Sequence, residues 1–226
     1  MIELRNITKT FHADGLSHRA ADNISAVFPT GTSVALLGRN GAGKSSLLKL
    51  ISGVMKPDHG EVITDGTISW PVGYAGSFHR ELTGAQNVRF IARVYGVDSD
   101  ELIDFVADFA ELGEYFHMPV RTYSAGMRGK LGFGVSMGIA FDTYLFDEAT
   151  ATGDATFRAK SQRYVHARLA NASAVVVGHG LKMLRKLCDR GAVIDAGRLW
   201  YYDDIEDAFD HYYELVGSSR EEDDWQ

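Results

Sequence analysis

Eight consecutive residues, Gly38-Arg39-Asn40-Gly41-Ala42-Gly43-Lys44-Ser45, fit the spacing G-x-x-x-x-G-K-[ST]. Glycines at this spacing let a backbone curl tightly around an anion without Cβ clashes. Successive N–H groups, aided by the positive end of a following helix, can then cradle phosphate oxygens. In such a P-loop, Lys44 reaches the β- and γ-phosphates of ATP and the Ser45 hydroxyl takes one position on Mg2+. Ser46, in the first turn of that helix, closes the candidate ATP-binding run. A glycine turn that merely ends a strand is the plainer alternative, and a buried strand before with a helix after argues against it.

A second constellation is Thr143-Tyr144-Leu145-Phe146-Asp147-Glu148. An apolar strand that ends in adjacent carboxylates has no packing rationale, because like charges repel and are costly to desolvate. With magnesium present the pair makes sense. Asp147 holds the ion's water shell, and Glu148 polarises the water that attacks the γ-phosphate. Taken alone, an acidic turn after a strand explains the same residues; beside a P-loop that alternative weakens.

Elements must hold these groups. Ser33 to Leu37 is a short apolar run ending at Gly38, which reads as a buried strand. After Lys44, SSLLKLISG reads as a helix closed by Gly53. Ile2 and Leu4, then Ile24, Ala26 and Phe28, alternate with polar residues as half-buried strands do, and Pro29-Thr30-Gly31 supplies a turn. Two or three short strands are expected between Glu61 and Tyr74. The period becomes helical from about Thr83 to Gly113, with Leu102, Phe105, Val106, Phe109 and Leu112 on one face. Strands return at 143–147, 174–178, 192–195 and 198–202, a helix is expected from Ile205 to about Val216, and the acidic end REEDDWQ reads as a frayed, solvated terminus. The pattern is an α/β core interrupted by a helical insertion.

Bulk composition narrows the function. The 226 residues carry 23 Lys plus Arg against 30 Asp plus Glu, a net charge of −7 that argues against broad binding to nucleic acid. The one cysteine, Cys188, excludes an intrachain disulfide and reads as a small packed residue. MIELRNITKTF lacks the apolar core of a signal peptide, and the longest apolar stretch, 131–141, is broken by glycines and too short to span a bilayer. The chain is expected to be soluble and to reach a membrane only through a partner. His12, His18, His59, His117, His166 and His211 show no metal-ligand spacing and are expected at the surface or at packing edges.

Tyr123 to Leu131, YSAGMRGKL, resembles the signature segment of the ABC ATPases, and Ser124 lies 23 positions before Asp147, where that family places it. The resemblance covers nearly the whole chain. It implies a RecA-like P-loop NTPase core, α/β, with an antiparallel β subdomain and an inserted α-helical subdomain. The core would comprise 1–76 and 141–226, and the helical subdomain 77–140. It further implies that Ser124, Ala125, Gly126 and Met127 act in trans on ATP held by a second copy in a head-to-tail dimer. His179 matches the switch histidine and joins Glu148 and Lys44 as catalytic candidates. Asp154 matches the aspartate of the loop crossing the dimer interface, and Phe11 the aromatic that stacks on adenine, although a core phenylalanine at a strand end would look the same. The sequence departs from the family at three positions. His79 stands where a magnesium-contacting glutamine is usual and is a further metal candidate, Ala125 replaces a glycine, and Met127 replaces a glutamine.

Within the family the chain is most similar to the ATPases that export capsular polysaccharide in Gram-negative bacteria, on MIELRNITKTF, TISWPVGYAG (67–76), LTGAQNVRFIARVYG (82–96) and 109–134. Trp70-Pro71 is telling, since phosphate chemistry does not dictate it; a buried tryptophan beside a turn proline is the alternative. O-antigen and teichoic acid export ATPases are the near relatives, and a soluble ABC-type ATPase is the competing class. Only 24 residues follow Tyr202, too few for an added carbohydrate-binding domain, which favours the capsule reading. The implied partners are a second copy, an integral-membrane permease, and periplasmic and outer-membrane export proteins, at the cytoplasmic face of the inner membrane.

Overall fold

A computed structural model describes residues 1–13, 16–73, 76, 78–147, 154–178 and 180–218. Contacts divide the chain into two compact units. The first holds 1–71, 142–147 and the described residues from 171 onward.

In that first unit, β1 (Ile2–Ala13) and β2 (Leu16–Phe28) form an antiparallel hairpin, and β4 (His59–Thr64) pairs with the other side of β1. The hairpin runs well beyond the apolar alternation that announces it. Its outer half is built from polar residues such as Thr8, Lys9 and Thr10, whose pairing depends on the partner strand rather than on a core-facing stripe. A six-stranded sheet in the order β5-β6-β7-β3-β8-β9 forms the rest. Its strands are β3 (Ser33–Leu37), β5 (Ile68–Pro71), β6 (Thr143–Asp147), β7 (Ser173–Val177), β8 (Arg190–Asp195) and β9 (Arg198–Tyr202). All neighbours are parallel except β8 and β9. Every residue of β3 and β7 is buried, as expected of central parallel strands covered on both faces.

Helix α1 (Lys44–Ile51) turns Leu47, Leu48, Leu50 and Ile51 into a core shared with Ile2, Leu4 and Ile7 of β1 and with Leu36, Leu145 and Val177 of the sheet. Burying each such side chain contributes roughly 1.5–3 kcal/mol before chain entropy is counted. At the joint between β5 and β6, the Asp142 carboxylate accepts from the N–H and the hydroxyl of Thr67, both at 2.7 Å. These two donors hold its carboxyl below the usual carboxylate range. Two further helices belong here, α6 (Leu181–Leu187) and α7 (Ile205–Val216).

The second unit gathers the described residues of 72–141 with 154–170. Its helices are α2 (Gly84–Tyr95), α3 (Ser99–Ala110), α4 (Ala125–Gly138) and α5 (Ala155–Leu169). The single helical period from Thr83 to Gly113 is thus two helices, broken where Gly96 takes φ 67° to end α2 and Asp98 caps α3. Val106, Phe109, Leu131, Phe133 and Phe157 are buried, and Phe109 stacks on Phe133 with ring centroids 5.8 Å apart. Gly134 lets α3 come close to α4, since a Cβ there would lie 3.3 Å from the Phe109 ring. The Arg168 guanidinium donates twice to the Met137 carbonyl, at 3.0 and 2.6 Å, satisfying one of the open carbonyls at the end of α4.

Candidate nucleotide site

The loop between β3 and α1 is shaped by close approach. Gly38 adopts φ 152°, and a Cβ there would run into the backbone carbonyl of Ile194. Gly43 adopts φ 105°, and its Cβ would lie 2.8 Å from the carbonyl oxygen of Ala20. Side chains are therefore excluded at both ends of the loop, and Gly41, at φ 81°, is needed for its backbone conformation alone. Ala42 N–H donates to the Arg39 carbonyl at 3.1 Å and closes the turn. The Lys44 ammonium donates to the carbonyls of Gly38 at 2.6 Å and Arg39 at 3.1 Å, bracing the loop from inside.

Among the described helices of eight residues or more, α1 alone begins without a side-chain cap. Thr83, Asp98, Ser124, Asp154 and Asp204 cap the others. At α1, Gly43 leaves the first-turn N–H groups facing outward with the positive end of the helix dipole behind them. This is an arrangement for an anion.

An open cavity of about 470 Å³ lies over the loop, lined by Asn40, Gly41, Gly43, Lys44, Ser45, Ser46, Phe11 and His18. Phe11 is 36% exposed, so the alternative of a core phenylalanine does not describe it. The Lys9 ammonium lies 6.0 Å from its ring centroid. His18 is directly opposite Phe11 in the β1–β2 ladder, which places both side chains on one face. Sequence reasoning left His18 among the surface histidines. The signal that would have found it is the hairpin register, and that depends on where the turn falls. The remaining loop residue, Arg39, stands 62% exposed at 3.9 Å from the Asp195 carboxylate.

Asp147 closes β6 in a row across the sheet, paired with Val177, which is itself paired with Leu36 two residues before Gly38. Because β3, β6 and β7 are parallel, the P-loop and Asp147 leave the sheet at the same carboxyl edge, where α/β sheets place their ligands. With strands about 4.8 Å apart, Asp147 is roughly 10 Å from the strand that feeds the loop. Glu148 and His179 lie outside the described residues.

The second unit carries the other candidates. Ser124 is the N-cap of α4 and accepts from the Met127 N–H at 3.2 Å, so its hydroxyl already serves the helix start. Ala125 opens the helix, and a Cβ on Gly126 would meet nothing closer than the Ser124 hydroxyl at 3.9 Å, so the turn presents bare backbone. Ser124, Gly126, Met127, Tyr115, Lys130 and Asp154 line a cavity of about 350 Å³. Asp154 caps α5 by accepting from Phe157 N–H at 2.9 Å and faces the Lys130 ammonium at 3.3 Å. These contacts hold its carboxyl below the usual range.

His79 is exposed, and its Nδ1 accepts from the Glu81 N–H at 3.3 Å. That contact engages Nδ1 within the turn. Asn87 fixes the same turn through the backbone N–H and carbonyl of His79. Cys188 is buried, and its thiol is pushed up to about 12 by desolvation, so it is inert packing.

The chain matches the ABC transporter family over residues 21–151. The polysialic acid transport ATP-binding protein KpsT of Escherichia coli is 45% identical over 215 residues, 94% of this chain and 96% of that protein. The capsule polysaccharide export ATP-binding protein CtrD of Neisseria meningitidis serogroup B is 37% identical over 215 residues, 95% of this chain and 100% of its own length. Among solved structures, the ATP-binding cassette MJ0796, as a post-hydrolysis dimer bound to ADP and Pi, matches with a TM-score of 0.75 at 21% identity, covering 91% of this chain and 99% of that one. That likeness is one of fold.

Proposed function

This chain belongs to the ABC transporter family as an ATP-binding subunit, and we propose that it hydrolyses ATP to drive export of a capsular polysaccharide across the bacterial inner membrane. What carries the reading is identity of 45% and 37%, over nearly the whole chain, to ATP-binding proteins named for polysialic acid transport and capsule polysaccharide export.

The chemistry is mostly positioning and charge neutralisation. The uncapped first turn of α1 and the backbone from Gly41 to Ser46 hold the phosphates. Lys44, released from the loop carbonyls it braces, meets the β- and γ-phosphates. Phe11 stacks on the adenine, with His18 at its side. No cluster of three or more ligating side chains occurs among the described residues, which suits an ion held by one carboxylate, one hydroxyl, water and substrate phosphates. Ser45 and Asp147 are hard oxygen donors of that kind and would hold Mg2+, whose charge offsets that of the phosphate oxygens. Glu148 orients and deprotonates the attacking water, and His179 contacts the γ-phosphate. His79, whose Nδ1 accepts from the Glu81 N–H, is the further candidate to contact the ion.

Two copies form the working unit, each lending Ser124 and the N–H groups of Ala125, Gly126 and Met127 to the nucleotide of the other, with Asp154 beside the shared surface. No described helix is long and apolar enough to cross a membrane. In this reading an integral-membrane permease carries the polymer, with this subunit peripheral on its cytoplasmic face, and periplasmic and outer-membrane proteins complete the route.

Phosphate release from the purified protein tests the enzymatic part. Wild-type protein turns over ATP, and Lys44→Ala lowers the rate by about 100-fold or more, the scale seen when a charge-stabilising group is removed. Turnover near the wild-type rate in that variant would take the loop out of the mechanism.

A further inference from the structure

A second groove of about 470 Å³ lies in the first unit, between β2 and β9, each the edge strand of its sheet. Asp22, Asn23 and Ser25 line it from β2, and Arg198 and Trp200 from β9. None of these residues belongs to the nucleotide site.

Its polar groups offer donors as well as acceptors. The Asn23 carboxamide oxygen already accepts from Asn6 Nδ2 at 2.9 Å, and the Ser25 hydroxyl oxygen accepts from Asn6 N–H at 3.0 Å. Each oxygen keeps a second lone pair, and the Asn23 NH₂ and the Ser25 hydroxyl proton remain as donors. The Asp22 carboxylate is engaged by Arg19 at 2.9 Å. Arg198 adds a cation. Among the described arginines of this unit, Arg5, Arg19, Arg39, Arg185 and Arg190 each have a carboxylate partner, and Arg198 alone has none.

Trp200 supplies an aromatic surface. It is 38% exposed, although its neighbours hold it in place. His211 packs against it at 5.0 Å and 85°, and His211 is fixed in turn by the Tyr202 hydroxyl, 2.8 Å from Nδ1. The indole, held by His211, is the preorganised part of this surface, and the exposed Arg198 guanidinium beside it can reorient toward a ligand.

We infer that this groove binds an acidic saccharide. The apolar face of a pyranose ring lies on the Trp200 indole, its hydroxyl oxygens accept from Asn23 and Ser25, and a sugar carboxylate pairs with Arg198. A nucleotide fits less well. The groove has neither a glycine cradle nor a helix N-terminus, and one guanidinium faces several phosphate charges with Asp22 nearby. The inference comes from the groove's own donors and ring and does not rest on the exporter reading.

Saturation-transfer NMR on the full chain with saturating ATP present, so that the nucleotide cavity is filled, tests it with tri-galacturonic acid as probe and neutral maltotriose as comparison. Tri-galacturonate is expected to bind saturably and maltotriose at least tenfold more weakly. Arg198→Gln should weaken the acidic probe by about tenfold, as loss of one charge-assisted contact does, and Trp200→Ala should abolish the signal with ATP turnover unchanged. If Trp200→Ala does not fold, Arg198→Gln decides alone. No saturable binding of the acidic sugar, equal binding of both sugars, wild-type affinity in Arg198→Gln, or loss of the signal as ATP is raised further would each overturn the assignment. Export of polymer in cells is a separate measurement, so failure here and failure of the exporter reading remain distinguishable.

Discussion

Lys44 has two tasks in this molecule, and they can be separated. Its ammonium braces the carbonyls of Gly38 and Arg39, and in the proposed mechanism the same donors turn to phosphate. Gly43 is constrained differently, by a positive φ and by the Ala20 carbonyl at 2.8 Å. We expect Gly43→Ala to lower stability by about 2 kcal/mol from backbone strain alone, and to weaken ATP binding as the loop shifts. A melting temperature within a degree of wild type would show that the loop tolerates the Cβ. The P-loop was legible in the sequence because its requirements are local: glycines, a lysine and a hydroxyl at fixed spacing. His18 was not legible, because only the pairing of β1 with β2 places it opposite Phe11. His79 was half legible. Its place in the chain could be read, but the Glu81 N–H that its Nδ1 accepts from could not.

At the scale of elements, helix starts carry much of the organisation. Ser124 caps α4 at the segment proposed to meet a partner's nucleotide, so Ser124→Ala should cost about 1 kcal/mol of stability through the cap. It should lower ATP turnover further than that loss explains, which thermal melts and phosphate release on the same samples would separate. Asp154 caps α5, and the Phe157 N–H and Lys130 hold its carboxyl below the ordinary range. A lowered carboxyl pKa contributes stability that is fully present above the unfolded value of about 3.9 and is lost as pH falls through the folded value. Asp154→Asn should therefore show a flatter acid arm than wild type in unfolding measured from pH 2 to 6, and identical arms would remove this carboxylate from acid stability. Strands β3, β6 and β9 and helix α7 have the bounds read from the sequence, because apolar runs and turn residues mark them. Helix α5 went unread. Its buried residues are only Phe157, Ser161 and Val165, too sparse a stripe to stand out among its polar neighbours.

At the scale of the whole molecule, the family and the α/β class could be read from one chain, because the motifs occur in order and the sheet that carries them is built from apolar runs. The working assembly came only through the family resemblance, since a second copy and a permease leave no mark on a chain's own core. If Glu148 activates the attacking water, Glu148→Gln should bind ATP, stall before hydrolysis and run as a dimer in size-exclusion chromatography with ATP. A monomer under the same conditions would contradict the shared-nucleotide arrangement. The same variant gives the most direct test of the central claim. The Glu148→Gln gene is placed at the native locus of the source bacterium, and polysaccharide is quantified at the cell surface and in the cytoplasm. The account predicts loss of polymer from the surface with accumulation inside, and an unchanged distribution would contradict it.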